Sequence, residues 1–335
     1  MAKVGKNSLV FDNVFIENVS SVVGPKEYEG PVGKFFDKHY DDLFINECNS
    51  FEKAEMALFK DALDLVMEKA NLTDEDINCI FSGDLNNQII IGNYVMRDYR
   101  IPYIGIFGAC STSVLGLITG ANFLQSSTGN VISMTSSHNA TAERQFRFPN
   151  EYGSQKADTA TLTVTGAAAT VLTTNKRKLK VSKATVGRVI DPKIKDTQDM
   201  GRIMAPAAYS TIKQHFEDFN VGVDDYDLII TGDLSSYGAD MLIKLLKEEG
   251  IDITSKYMDA GLCIYDRENQ MALSGGSGCA CLGVVLNGYI IKQLEEGLYK
   301  KVLAVGTGAL LNPIIVSQKE TVPAVAHAVV IEVTQ

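Results

Sequence analysis

One cysteine of this chain stands where a thiol could do chemistry. Cys110 follows an apolar run at residues 103–107 and a turn of small residues, and a helical pattern begins at Ser111. This order predicts a strand, a tight turn and a helix, with the thiol at the helix N-terminus. Free N–H groups and the positive end of the helix dipole favour a thiolate there, and they also form a seat for an anion. The segment therefore indicates a nucleophile, an anion site or, more plainly, a buried structural cysteine.

The elements that would position this cysteine belong to a pattern that the chain contains twice. Residues 77–86 and 226–235 both read as a buried strand that ends in Gly-Asp-Leu and a polar residue. Each segment follows an amphipathic helix, predicted over residues 51–70 in the first case and 205–219 in the second. The spacing is too long for a solenoid repeat and indicates a duplicated plan.

Two further helices are predicted at residues 111–124 and 279–294, and both retain internal glycines. A glycine inside a helix costs about 0.5–1 kcal/mol relative to alanine, so we expect these helices to pack closely together at the centre of the molecule. Strands that alternate with helices imply mostly parallel sheets with right-handed crossovers. The predicted fold is α/β, with two similar halves, residues 1–175 and 176–335, in sheet–helix–sheet layers. Residues 139–158 are predicted to form an inserted loop.

The composition is that of an ordinary globular protein, with 45% hydrophobic and 21% charged residues in 335. A net charge of −10 argues against nucleic acid as a partner, because duplex binding needs a basic stripe. The six cysteines lack the spacing of a disulfide framework or a zinc site, so we expect reduced thiols and no metal. The glycines at 275–278 lack the Lys of a phosphate loop, and no cofactor is expected.

No apolar run of 18 or more residues is present, so the sequence predicts no membrane-spanning helix. Residues 1–7 lack the apolar stretch of a secretory signal. Cytoplasmic synthesis is therefore expected.

Several segments carry a resemblance to known families. The cysteine turn at 108–113, the small-residue strand at 165–172 and the stretch at 204–229 are similar to those of thiolases and ketoacyl synthases. Within that superfamily, residues 136–147 and 11–24 closely resemble the stage V sporulation protein AD family. The first resemblance implies a duplicated thiolase-like fold over nearly the whole chain.

The second resemblance implies a function and a set of partners. It implies binding of dipicolinic acid (pyridine-2,6-dicarboxylate), with or without calcium, and a part in the movement of this acid into and out of bacterial spores. It also implies a homodimer that associates peripherally with the inner spore membrane through other stage V sporulation protein A membrane components.

The resemblance also raises the question of catalysis. Thiolases and condensing enzymes activate the cysteine with His, Asn or Cys partners from loops of the second half, but the matching loops here, 231–235 and 272–276, contain no His or Asn. Loss of a general base typically costs about 10²–10⁴-fold in rate. The sequence therefore favours a binding pocket inherited from an enzyme. A divergent acyltransferase that uses Cys110, with His138 or His327 as its base, is the alternative, and a scaffold with a vestigial pocket is a third interpretation.

The resemblance leads to a set of expected ligand-binding residues. A flat dianion needs hydrogen-bond donors at both carboxylates, which the amides around Cys110 and bidentate guanidinium groups can supply. The predicted set is Cys110, His138, Arg144, Arg147 and His327. The alternatives are a solvated loop or a subunit interface for the arginines, an interface for His138 and a hydrogen-bonded core histidine for His327. His39 and His215 are predicted to lie at the surface.

Overall fold

The computed structural model describes residues 3–146 and 156–334. The helices are α1 Pro25–Tyr28, α2 Phe51–Ala70, α3 Ile90–Val95, α4 Thr112–Leu124, α5 Asn139–Phe146, α6 Met200–Phe219, α7 Ser235–Glu248, α8 Ala260–Cys263, α9 Cys279–Val285, α10 Ile291–Glu295 and α11 Pro313–Ser317. The strands are β1 Lys3–Val4, β2 Ser8–Val10, β3 Phe15–Val23, β4 Lys38–His39, β5 Ile77–Gly83, β6 Tyr103–Gly105, β7 Asn130–Ser137, β8 Leu162–Thr163, β9 Gly166–Thr173, β10 Leu179–Thr185, β11 Leu228–Thr231, β12 Tyr257–Asp259, β13 Gly276–Ser277, β14 Lys301–Ala309 and β15 Ala324–Val333.

The sheet repeats one plan twice. Its main path runs β12-β11-β14-β15-β10-β3-β9-β7-β5-β6. In one group of strands, β3–β9 and β9–β7 are antiparallel pairs, while β7–β5 and β5–β6 are parallel pairs. In the other group, β10–β15 and β15–β14 are antiparallel pairs, while β14–β11 and β11–β12 are parallel pairs. The two groups of strands join where β10 pairs with β3, through Leu179 opposite Ile16 and Lys180 opposite Phe15. The predicted α/β class and the duplication are confirmed.

The helices form layers around these strands. Helix α4 contacts β5 and β7 of one group of strands and β14 and β15 of the other. Helix α9 contacts β3, β7 and β9, and its Cys281 thiol donates to the Gly232 carbonyl directly after β11 at 3.4 Å. Both helices therefore lie between the two groups of strands. Helix α2 covers the outer face of β3 and β9, and α6 covers that of β14 and β15. The glycines of the central helices face mainly the strands, and Gly283 on α9 also approaches Ser113 on α4. A Cβ at Gly116, for example, would lie 2.3 Å from the Ser133 hydroxyl oxygen on β7.

Two element boundaries differ from the sequence prediction. Helix α6 begins at Met200, five residues before the predicted start, because the Asp199 side chain accepts a hydrogen bond from the Arg202 amide at 3.4 Å and caps it. Residues 139–146, expected in a loop, form α5. The His138 carbonyl accepts the Ala142 amide at 3.1 Å and so closes the first turn of α5.

The prediction that His215 lies at the surface is wrong. The side chain is fully buried on the inner face of α6. One ring nitrogen bonds the Thr185 hydroxyl at 2.8 Å, and the other bonds the Tyr226 hydroxyl at 2.7 Å. With both nitrogens paired, the imidazole is accommodated in the core as a neutral group, and burial lowers its pKa to about 3.

Candidate functional site

Cys110 lies in a sharp turn between β6 and α4. The turn depends on Ala109, which adopts a left-handed conformation with φ of 50°. The Ser111 amide donates to the Gly108 carbonyl at 3.1 Å, and the Thr112 amide donates to the Ala109 carbonyl at 3.2 Å. These bonds tighten the turn and use two N–H groups that the sequence interpretation assigned to an anion.

The thiol of Cys110 is not activated by this position. The side chain is only 7% exposed, and burial, together with contact to the Asp233 carboxylate, raises the pKa of the thiol well above its ordinary value. The expectation that the helix terminus favours a thiolate is therefore wrong. A desolvated thiol that faces a carboxylate holds its proton, because ionisation would place two negative charges side by side.

Asp233 is the partner of Cys110 from the second half of the chain. It follows β11 in the second Gly-Asp-Leu segment, and its carboxylate accepts hydrogen bonds from the Thr307 hydroxyl at 2.6 Å and the Gly278 amide at 3.1 Å. Burial raises its pKa to about 7 against these bonds, which lower it. Asp233 thus lies in the loop 231–235, which matches the loop that carries a catalytic partner of the cysteine in the enzymes that the sequence resembles.

A small cavity opens in front of the thiol. Its walls are mostly apolar, with Phe107 and Phe146 among them, and Phe107 is 51% exposed. Thr163 and Ser277 contribute hydroxyl groups to the lining, and Gly278 contributes backbone. Among the residues that the structure describes, no charged side chain lines the cavity. We call this space the elbow cavity.

The pairing of a cysteine with an acid occurs a second time, and here the acid comes from the first half of the chain. Cys279 begins α9, and its thiol donates to the Ala109 carbonyl at 3.0 Å. Asp84, from the first Gly-Asp-Leu segment, lies near Cys279 and accepts the amides of Asn86 at 2.8 Å and Ile91 at 3.1 Å. Each half therefore supplies a cysteine at a central helix start, and the other half supplies the acid near it.

Glu55 extends this second acidic group. The side chain is fully buried, and its carboxylate oxygens accept hydrogen bonds from Asn86, Ser136 and Thr141, at 3.0, 2.9 and 3.0 Å. Burial and the nearby charge of Asp84 raise its pKa to about 8. Glu55 thereby ties α2 to the start of α5, which carries Phe146 to the cavity wall.

His138 does not reach the elbow cavity. The ring is fully buried, its Nε2 lies 2.8 Å from the Leu43 carbonyl, and its Nδ1 accepts the Ala140 amide at 3.1 Å. Both nitrogens are thus bonded to backbone, and burial lowers the pKa of the ring. This geometry gives His138 a structural role at the start of α5.

His327 has a similar environment on β15. It is 7% exposed, its Nδ1 accepts the Gly187 amide at 3.1 Å, and burial lowers its pKa to about 4. Arg144 is 62% exposed in its side chain and forms an ion pair with Glu52 on the surface. Neither side chain lines the elbow cavity. Arg147 lies outside the described residues.

Of the predicted set, Cys110 is the described residue that lines the cavity. Asp233 is absent from the predicted set because the resemblance to enzymes points to a histidine in this loop. The signal was present in the sequence, since the duplicated Gly-Asp-Leu places an acid directly after a buried strand, at the edge where sites of α/β sheets lie. No cluster of three or more metal-ligating side chains occurs in the described ranges.

Comparison with solved structures identifies the fold. A variant of OleA from Xanthomonas campestris aligns over 96% of this chain and 97% of its own, with a TM-score of 0.64 and 14% identity. The 3-oxoacyl-[acyl-carrier-protein] synthase III from Aquifex aeolicus aligns over 95% and 99%, with a TM-score of 0.56 and 13% identity. The duplicated strands and the cysteine turn therefore form a thiolase-like fold.

Comparison at the level of sequence then identifies the family. The chain matches the stage V sporulation protein AD family over residues 5–332. It is 48% identical over 334 residues to stage V sporulation protein AD of Bacillus subtilis (strain 168), covering 99% of this chain and 98% of that protein. The chain belongs to the stage V sporulation protein AD family, and the resemblance inferred from the sequence is confirmed.

Proposed function

We propose that this protein binds dipicolinic acid in the elbow cavity without catalysing a reaction, and that it supports movement of the acid into or out of spores. The observation that carries the proposal is the burial of Cys110 in a cavity wall that it shares with Gly278, whose amide donates to the carboxylate of Asp233 at 3.1 Å. Proton transfer from a thiol with a strongly raised pKa to a carboxylate with a pKa of about 7 is unfavourable. The cavity of a condensing enzyme is thus retained, while its nucleophile is held as a thiol.

The lining of the elbow cavity supports a flat aromatic ligand. Phe107 and Phe146 offer aromatic surface for a pyridine ring. The Ser277 hydroxyl accepts a bond from Thr161 at 2.7 Å, so its own hydrogen is available to a ligand carboxylate. The Thr163 hydroxyl is a second donor in the lining. We expect Arg147 to meet the other carboxylate, whereas the ion pair with Glu52 directs Arg144 elsewhere.

The proposal includes assembly. Strand β6 lies at the end of the sheet path, and the exposed fractions of Ile104 and Phe107 beside it are 46% and 51%. An unpaired strand edge with exposed apolar side chains supports association with a second copy. None of the described helices combines the length and apolar character needed to cross a bilayer. We also propose that other stage V sporulation protein A components hold the homodimer at the inner spore membrane, with or without calcium accompanying the ligand.

Calorimetric titration of the full chain with sodium dipicolinate tests the proposal. We expect saturable binding that is weakened by Arg147→Gln and unchanged by the matched variant Arg144→Gln. Benzene-1,3-dicarboxylate, which lacks the ring nitrogen, serves as the control ligand. Absence of saturable heat with millimolar dipicolinate would contradict the proposal.

The alternative function is acyl transfer by Cys110, which the retained thiol and the synthase fold favour. Incubation with acyl-CoA or acyl carrier protein, followed by intact mass measurement, separates the two functions. An acyl adduct that disappears in Cys110→Ala would establish an acyltransferase. We expect no adduct, because the thiol remains protonated.

A further inference from the structure

Asp233 lies directly behind the wall of the elbow cavity. It accepts the amide of Gly278 at 3.1 Å and lies near the thiol of Cys110, and both of these residues line the cavity. Its side chain is 1% exposed, so water does not screen its charge. We propose that Asp233 is the proton-dependent specificity determinant of this site: the cavity accepts an anionic ligand when Asp233 is neutral and disfavours it when Asp233 is ionised.

This inference rests on the proposed function, because it concerns an anion in the elbow cavity. A carboxylate at the Ser277 hydroxyl would be close to Asp233, because the next amide along the chain, that of Gly278, donates to Asp233 at 3.1 Å. No cationic side chain among the described lining residues offsets an ionised Asp233, and the contact proposed for Arg147 is with the other carboxylate of the ligand. Two unscreened negative charges at such a distance repel strongly in a low-dielectric setting. A neutral acid at the same position removes the repulsion and keeps the hydrogen bond from Thr307.

The titratable groups that face Asp233 come from three elements. They are Cys110 at the turn before α4, Cys281 on α9 and Asp259 at the end of β12. Burial raises the pKa of both thiols well above the ordinary value, so neither ionises near neutral pH. Asp259 accepts backbone amides from Leu234 at 3.0 Å and Ser235 at 2.9 Å.

The bonds to Asp259 stabilise its charged form, and its pKa of about 6 lies below that of Asp233. The negative charge of Asp259 adds to the cost of ionising Asp233. Asp233 accepts the amide of Gly278 in the cavity wall, so its charge is the one that a ligand in the cavity meets most directly, and its pKa is about 7.

Linkage gives the expected magnitude. If the ligand prefers the neutral form of Asp233, binding raises the pKa of that acid, and the complex takes up a proton at any pH where the free protein has lost it. The affinity then stays nearly constant below neutrality and falls by up to about tenfold per pH unit above it. Between pH 6 and pH 9 we expect a loss of about 10–100-fold.

Calorimetric titration with sodium dipicolinate at pH 6, 7, 8 and 9, in buffers of different ionisation enthalpy, measures both the affinity and the proton uptake. For the unaltered protein we expect falling affinity and uptake approaching one proton at pH 8. Asp233→Asn should bind with an affinity that does not change with pH. The matched control Asp84→Asn, which alters the other copy of the motif, should keep the pH dependence.

The outcomes separate this inference from the proposed function. Saturable binding with constant affinity and no proton uptake would overturn the role of Asp233 and leave dipicolinate binding intact. Absence of saturable binding at every pH would overturn the proposed function itself. If Asp233→Asn does not fold, proton uptake measured in Glu55→Gln decides the matter, since this variant removes the other buried acid whose pKa, about 8, lies in the same range.

Discussion

The reactivity of Cys110 offers a quantitative test of the site. In the structure the thiol is buried and faces the carboxylate of Asp233, which is mostly ionised at pH 8.5 because its pKa is about 7. Two unit charges about 4 Å apart interact by about 4 kcal/mol at an effective dielectric constant of 20, which corresponds to about a thousandfold in the population of the charged form. Removing the carboxylate should therefore release much of the penalty on the thiolate.

The perturbation is Asp233→Asn, and the assay is alkylation by iodoacetamide at pH 8.5 with peptide mass mapping of the modified cysteine. We expect at least a tenfold faster reaction at Cys110 in the variant, with Cys110→Ala as the assignment control. Asp84→Asn keeps Asp233 in place and should react at the unaltered rate. Equal rates in the protein and in Asp233→Asn, or rapid alkylation of the unaltered thiol, would refute the assignment of Asp233.

Other consequences follow from the same contacts. The free energy of unfolding should fall by about 2–3 kcal/mol from pH 6.5 to 8.5. The cause is the raised pKa of two buried carboxyl groups, Glu55 at about 8 and Asp233 at about 7, because stability is lost as the pH rises through these values. Urea titrations at both pH values test this, and an unchanged free energy of unfolding would contradict it. Ile104→Lys on β6 should yield a monomer in sedimentation if that edge joins two copies, and an unchanged mass would exclude the edge. Phe146→Ala should weaken dipicolinate binding by about tenfold in calorimetry, and undiminished affinity would show that the ring lies elsewhere.

The extent of sequence-based prediction differed between the fold and the site. The strand, turn and helix around Cys110 were predictable, because apolar runs and small residues determine local structure. The contact with Asp233 was not, since it joins residues 123 positions apart that meet only when the two halves stack. The pKa of the thiol was misjudged in sign for the same reason: the helix N-terminus is a local feature, whereas burial and the opposing acid are tertiary ones.

The histidines illustrate the same limit. His215 sits at a helical position that faces the core, three residues after Ile212, so its burial follows the periodicity of α6. Its acceptance there depends on Thr185 and Tyr226, which are supplied by other parts of the chain. His138 follows a strand end, as site residues often do, yet its ring bonds the Leu43 carbonyl and the start of α5.

The central claim is that the elbow cavity holds dipicolinate while Cys110 stays an unreacted thiol. A crystal structure of the protein soaked with sodium dipicolinate at pH 6 tests it most directly. The account predicts density for a flat ring between Phe107 and Phe146, with carboxylate oxygens near the Ser277 and Thr163 hydroxyls and an unmodified Cys110. Density for the ligand at another position, with an empty elbow cavity, would contradict it.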